Sequence, residues 1–431
     1  MSLSSILIKD IDWILTQNSR RQILKNYSVY VEENLITEIG NPRVEADFTI
    51  DGKGKVLLPG LINCHTHSSM TLLRGYADDM KLHEWLETRI WPLESKLKPE
   101  YCYIGTLLAC LEMIRFGVTC FNDMYIFVDD IAKAVKESGL RCFLGEVIFD
   151  WNLKNKFSYF EKFTKKWLRD DLVTPVVNPH APYSCSDETL FKLKEISDRY
   201  NLLTHMHVSE TEKEVKDFQK NKNKTPVEHL DELGILNDRF IGVHCNWLSS
   251  KDVEILSRRN SSIVHCPTSC MKLASGRVPP LKNIFEKNIR VGLGTDGCAS
   301  NNNLDLFEEM KNCSLINKFQ ERDPTFIPAQ KTLDLVTIEP AKILSIDDRI
   351  GTIGEGKIAD LILVDFKKPH LQPIHTKHTI ISNLVYSCKG QDVDTTIVDG
   401  KILMKHGKVL TLNEHEVMNQ TQSIIQELMN S

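Results

Sequence analysis

Apolar and polar residues alternate in short runs over the first 57 positions: Ile6–Ile8, Tyr27–Val31, Leu35–Ile39 and Asp47–Ile50, closed by Gly52 and Gly54. Period-two runs bounded by turn residues predict β-strands. The last 80 or so positions read alike. Gly351–Asp360 is turn-rich, Leu361–Val364 is an apolar strand, and Ile397–Leu403 predicts a hairpin turning at Asp399-Gly400. Between these ends the period changes. Strand-length apolar runs at Gly117–Phe121, Val173–Val177, Leu203–Val208, Phe240–His244, Ser262–His265 and Val291–Gly294 alternate with longer stretches of helical period. The helices are predicted at Glu100–Phe116, Ile131–Ser138, Ser186–Tyr200, Ser249–Arg259, Pro280–Lys287 and Leu304–Asn317.

Repeated strand–helix pairs with short connections require a parallel sheet, either doubly wound or closed into a barrel. No glycine-rich phosphate fingerprint follows the early strands, which argues against a dinucleotide-binding sheet. Chemically capable residues stand instead at the carboxyl ends of many different strands, the address of barrel active sites. The expectation is an α/β fold: a (β/α)8 TIM-like barrel over residues 59–350. A small β-sandwich domain would be built from both chain ends, 1–58 and 351–431, the latter finishing in a terminal helix.

Composition narrows the function classes. A chain of 431 residues exceeds what one core usually fills, in keeping with a barrel plus an accessory domain. A net charge of −5 offers no basic footprint for nucleic acid. No apolar run approaches the roughly 18 residues of a membrane span, and the start lacks a signal-peptide pattern, so a cytoplasmic protein without membrane partners is expected. The 12 cysteines are scattered singly with no C-x-x-C pair, which predicts reduced thiols rather than a disulfide scaffold.

Candidate chemistry begins at Pro59-Gly-Leu-Ile-Asn-Cys-His65-Thr-His67. Side chains at i and i+2 of a strand share a face, so both imidazoles could reach one ion. Histidine pairs are common without a metal, and this one gains weight from other strand ends. These are Asn178-Pro-His180, Thr204-His205-Met-His207-Val-Ser-Glu210, Gly242-Val-His244 and Val291-Gly-Leu-Gly-Thr-Asp296. One aspartate after one strand is usually a helix cap; five apolar strands each ending in an ionisable residue are harder to explain that way. Neutral imidazoles with one carboxylate suit Zn²⁺ and leave a position for water, although Fe²⁺ and Mn²⁺ accept the same donors. Such an ion lowers the pKa of water from about 15.7 towards about 7. Glu210 lies just past the strand, where a proton shuttle would stand. No lysine occurs between Val176 and Ser184 to bridge two metals, so one ion per subunit is the simpler reading.

These strings resemble the amidohydrolase superfamily. Met70-Thr-Leu-Leu-Arg-Gly75, Glu84-Trp85-Leu86, Pro92-Leu-Glu94, Pro179-His-Ala-Pro-Tyr183, His207-Val-Ser-Glu-Thr211 and Gly294–Asn302 narrow the likeness. They look like the methylthioadenosine/S-adenosylhomocysteine deaminases and the neighbouring 5′-deoxyadenosine deaminases, over nearly the whole chain. The resemblance implies His65, His67, His207 and Asp296 as zinc ligands. It implies that Asp296 takes a proton from the attacking water, Glu210 protonates the purine ring nitrogen, and His244 steadies the tetrahedral intermediate. Glu94 would bind both ribose hydroxyls, His180 would contact sugar or base, and Trp85 would wall the sugar end. A homo-oligomer, dimer or tetramer, is also implied.

One departure bears on the substrate. Relatives favouring S-adenosylhomocysteine carry arginines after the third barrel strand; here Cys142–Trp151 holds Glu146 at that place, and no arginine follows until Arg169. Glu146 facing a carboxylate is repulsive, so small or neutral 5′ groups are expected to be preferred. A second departure is His265-Cys-Pro-Thr-Ser-Cys270, where relatives often carry asparagine for Cys266 and Cys270. Two rivals are weighed: a deaminase of a free base such as guanine or cytosine, which has no ribose for Glu94, and a scaffold that has lost the chemistry, which would be expected to lack a ligand.

Overall fold

The computed structural model describes residues 5–153 and 155–430. Five strands open the chain: β1 (Ser5–Leu15), β2 (Ile23–Glu32), β3 (Leu35–Gly40), β4 (Phe48–Asp51) and β5 (Lys55–Pro59). After the central region come β15 (Leu361–Asp365), β16 (Val393–Val398), β17 (Lys401–Lys405) and β18 (Lys408–Val409). The two sets share one nine-stranded mixed sheet. Its order is β18-β17-β16-β15-β5-β1-β2-β3, with β4 beside β1. The seam is β5, antiparallel to β15 and parallel to β1, and buried at every residue. Ile6, Ile8, Val29, Leu57 and Leu361 pack into the core of this sheet.

The chain leaves the mixed sheet at Gly60, whose N–H donates to the Asp360 carbonyl at 2.9 Å. From there β6 (Leu61–Thr66), β7 (Val118–Tyr125), β8 (Arg141–Ile148), β9 (Val173–Pro175), β10 (Asn178–Pro179), β11 (Thr204–Val208), β12 (Phe240–His244), β13 (Ser262–His265) and β14 (Val291–Leu293) run parallel. β9 and β10 are one strand interrupted after Pro175, which makes eight staves among the described residues. The two half-sheets join where Val177 bridges Thr204. The ring closes through Asp296 N–H to the His65 carbonyl (3.0 Å) and Thr295 N–H to the Asn63 side-chain oxygen (3.1 Å). Gly294 permits that approach, since a Cβ there would lie 2.8 Å from His65 Cβ. Ile62, Cys64, Phe143, Val176, Leu203 and Ile241 fill the interior, so the barrel is a packed core and not a pore.

Strand and helix positions follow the sequence pattern, with informative differences. β7 runs to Tyr125, past the predicted stop at Phe121, and stays buried throughout. Its polar Asp123 is tolerated because Thr66 Oγ1 (2.7 Å), Ser68 N (2.6 Å) and Ser68 Oγ (2.7 Å) all donate to it. The helices Lys156–Trp167, Glu212–Lys222 and Pro226–Glu232 were not predicted. In Glu212–Lys222 only Glu214 and Phe218 are buried, so no apolar stripe announces it.

Candidate active site

Six of the expected residues stand at or just past the carboxyl ends of four barrel strands: His65 on β6 and His67 just after it, His207 on β11 and Glu210 just after it, His244 on β12 and Asp296 past β14. Three strand exits turn through left-handed backbone at non-glycine residues, Ser209 (φ 51°), His244 (φ 67°) and Asp296 (φ 64°). Each such residue costs on the order of 1–3 kcal/mol, strain that concentrates at functional sites.

Their side chains converge. Asp296 Oδ1 lies 3.4 Å from His65 Nε2 and 3.3 Å from His67 Nε2, and His207 Nε2 is 3.3 Å from His65 Nε2. His65, His67 and His207 offer ligand atoms within 4.8 Å of one another, as do His65, His244 and Asp296. Four donors so spaced can each approach one ion at about 2 Å. Burial drives the His65 imidazole down to about 3 and holds His207 well below its ordinary value, so both present neutral nitrogen. For His67 burial acts in the same sense but is outweighed by Asp296 and the Met124 carbonyl, which lift it to about 9. Asp296 is buried, yet its hydrogen bonds to His65 and His67 hold it well below the carboxylate range. Ser269 Oγ (2.6 Å) and Gly297 N–H (2.8 Å) also donate to it. The donor set fits a borderline divalent ion such as zinc.

One cavity opens on this cluster. Its polar wall includes His67, Glu94, His180, His207, Glu210, His244 and Asp296; its apolar wall includes Met70, Trp85, Leu86, Trp91, Val147 and Phe149. Glu210 lies 3.9 Å from His244, and burial raises its carboxyl above the ordinary range. Its backbone is held at both ends, the N–H by Glu214 (2.7 Å) and the carbonyl by Asn246 (3.1 Å). Glu94, also raised by burial, accepts from Tyr125 Oη at 2.7 Å. Burial lowers His180 to about 3; its ring packs at a tilt against Phe149 (4.4 Å between centroids, 35° between planes), and Nδ1 meets Ser184 Oγ at 2.8 Å. Trp85 and Glu94 come from the short helices Leu82–Trp85 and Trp91–Glu94, between β6 and the helix Pro99–Arg115.

Glu146 is the exception. It is buried on β8, pairs with Lys156, receives the Val128 N–H, and is absent from the cavity wall. Neighbouring Val147 lines the cavity, and successive strand side chains point to opposite faces, so Glu146 turns towards the helix layer. The expectation that it faces the 5′ group is corrected. Tyr125 and Ser269 escaped the sequence reading: Tyr125 would have appeared had β7 been carried four residues further, whereas nothing local to Ser269 points to Asp296.

The profile of the amidohydrolase family matches residues 56–403. The chain belongs to the amidohydrolase family. A 5′-deoxyadenosine deaminase of Methanosarcina acetivorans is 45% identical, over 99% of both chains. A 5-methylthioadenosine/S-adenosylhomocysteine deaminase of Pyrococcus furiosus is 42% identical, over 92% of this chain and 95% of that one. Among solved structures, an adenosine deaminase of Xanthomonas campestris with bound zinc superposes with a TM-score of 0.95 at 32% identity, covering 99% of each. An atrazine chlorohydrolase of Arthrobacter aurescens shares the fold at 18% identity and TM-score 0.88 (97% and 100% covered). The α/β architecture expected of this amidohydrolase is therefore the one found.

Proposed function

We propose that this amidohydrolase deaminates adenosine-type nucleosides hydrolytically, releasing ammonia and the inosine analogue. The substrates would be 5′-deoxyadenosine, 5′-methylthioadenosine and adenosine, with S-adenosylhomocysteine weaker. The observation that carries this reading is one cavity whose wall brings Glu210 and Glu94 together with His67, His207 and Asp296, with His65 Nε2 3.4 Å from Asp296 and 3.3 Å from His207. His65, His67, His207 and Asp296 would hold one Zn²⁺ per subunit; when bound, the ion supplies Lewis acidity and makes water a nucleophile near neutral pH. The deaminase relatives of Methanosarcina acetivorans and Pyrococcus furiosus, and the zinc bound by the Xanthomonas campestris adenosine deaminase, support the same assignment.

The chain's own groups divide the proton work. Asp296 accepts a proton from the attacking water. Glu210, whose carboxyl burial raises above the ordinary range, donates to the purine nitrogen beside the amine-bearing carbon and makes that carbon electrophilic. His244, within reach of Glu210, donates to the oxygen of the tetrahedral intermediate. Glu94 accepts from the ribose hydroxyls while Tyr125 fixes its second oxygen. Trp85 walls the sugar and His180, backed by Phe149, contacts base or sugar.

Preference for a neutral 5′ group no longer rests on Glu146. Glu94, Glu210 and Asp296 line the cavity, and no lysine or arginine does so among the described residues. An amino-acid carboxylate would enter without a cation to meet it. The test is ammonia release by zinc-loaded protein on 5′-deoxyadenosine, methylthioadenosine, S-adenosylhomocysteine, adenosine, guanine and cytosine. Highest kcat/KM on a riboside with a small 5′ group is expected. Turnover of a free base alone would return the site to the rival reading.

Three coarser points complete the proposal. The division into 1–58, 59–350 and 351–431 is supported by the chain leaving the mixed sheet at Gly60. A cytoplasmic location is supported by 12 buried, unpaired cysteines, and no described helix is long and apolar enough to cross a membrane. A dimer or tetramer, with Phe319 (81% exposed) available for contact, is checked by light scattering.

A further inference from the structure

The three histidines proposed as ligands, His65, His67 and His207, differ in what holds their far ring nitrogen. His67 Nδ1 donates to the Met124 carbonyl at 2.6 Å, and His207 Nδ1 to the His180 carbonyl at 3.0 Å. Both acceptors are backbone, so the fold itself orients these rings. His65 Nδ1 instead lies 3.1 Å from Nε2 of His205, a side chain. His205 stands two residues before His207 on β11, so strand geometry sends both rings into the barrel mouth, one above the other. His205 is wholly buried, with its ring centroid 4.9 Å from that of His65.

Proton placement in this pair follows from the geometry. His65 turns Nε2 towards Asp296 and His207. A ligating nitrogen carries no proton, so the His65 proton sits on Nδ1. His205 Nε2 must then be the acceptor, and the His205 proton sits on its own Nδ1. That atom is buried and has no hydrogen-bond partner among the described residues. Filling this core position for packing alone would not require a donor without an acceptor; leucine would serve. The retained imidazole is explained by the bond it makes at its other end.

We propose that His205 is a positioning residue for the metal: its Nε2 accepts the His65 Nδ1 proton and holds the His65 ring with Nε2 facing the ion. Partners of this kind typically change metal affinity 10–100-fold when removed. The inference rests on the reading of His65 as a ligand, and it makes His205 the one histidine-orienting partner in the cluster that substitution can remove without touching backbone.

The test is the zinc dissociation constant of the purified full chain, stripped and then titrated against a competing chelator. His205→Leu should weaken zinc binding roughly 10–100-fold, and His205→Gln, whose amide oxygen can accept the same proton, should recover most of that loss. Apo-protein Tm is followed in parallel. If the leucine variant does not fold, His205→Met provides the unbranched replacement without an acceptor oxygen. Leucine or methionine variants binding zinc within twofold of wild type would overturn the proposal, as would a glutamine variant as weak as leucine. Wild-type protein that binds no zinc would instead overturn the ligand reading itself, and the inference with it.

Discussion

Exchanging one oxygen of Glu210 for nitrogen separates the two tasks of the cavity, holding an ion and moving a proton. Glu210→Gln leaves all four proposed ligands in place but has no acid to give the purine ring. Zinc content by elemental analysis should stay near wild type while kcat falls about 10²–10⁴-fold. Near-normal turnover would remove Glu210 from the shuttle role. Asp296→Ala should behave differently, losing zinc and activity together, because it removes the carboxylate shared by His65 and His67. Glu94→Ala should act mainly on binding. Losing charge-assisted hydrogen bonds of about 1.5–3 kcal/mol corresponds to a KM rise of roughly 10–100-fold for ribosides. An unchanged KM would end the ribose assignment. At this scale the ionisable strand-end residues were legible in the sequence. Which face Glu146 takes was not, because a buried strand offers no polar–apolar alternation to read; β8 is buried at all eight positions.

Between elements, the carboxyl group of Glu309 ties two arms of the site together. It accepts from Thr268 N (3.1 Å), at the start of the helix Pro267–Lys272 that carries Ser269, and from Asn301 Nδ2 (2.7 Å) in the loop after Asp296. Burial raises it from the usual 4.5 to about 8. A carboxyl raised on folding binds its proton more tightly in the native state. Its stabilising contribution is therefore full below about pH 4.5 and is lost as pH climbs through 8. Chemical denaturation at pH 5.5 and pH 8 should show wild type losing stability over this interval, with a smaller loss for Glu309→Gln. Equal slopes would mean that Glu309 does not carry the dependence. Within the string His265–Cys270 it is Thr268 and Ser269 that reach the site, Ser269 bonding to Asp296 and Thr268 to Glu309.

Across the molecule, the barrel and the mixed sheet are locked by Arg141 at the start of β8. Its guanidinium meets Asp360 at 3.1 Å, with both side chains almost fully buried, and Asp360 also accepts the Asp399 N–H at 2.8 Å. Arg141→Met would leave the Asp360 charge buried without its cation, a loss of about 3–5 kcal/mol. Urea unfolding measures it, and a loss below about 1 kcal/mol would show the tie to be dispensable.

The sequence by itself determined the strand–helix alternation, the barrel expectation and the family. Each rests on local information: side-chain period, turn residues, and histidines spaced to share a strand face. It also pointed to Glu210, because a carboxylate three residues after His207 cannot be far from it. The tertiary structure alone decided which side chains meet. The β9–β10 strand broke at Pro175, β7 continued through a satisfied Asp123, and Glu146 turned to the helix layer beside Lys156. The same holds for Tyr125 on Glu94, Ser269 on Asp296 and His205 on His65, pairs separated by 31, 27 and 140 positions. Contacts between residues so distant along the chain depend on barrel closure, and no local pattern encodes them.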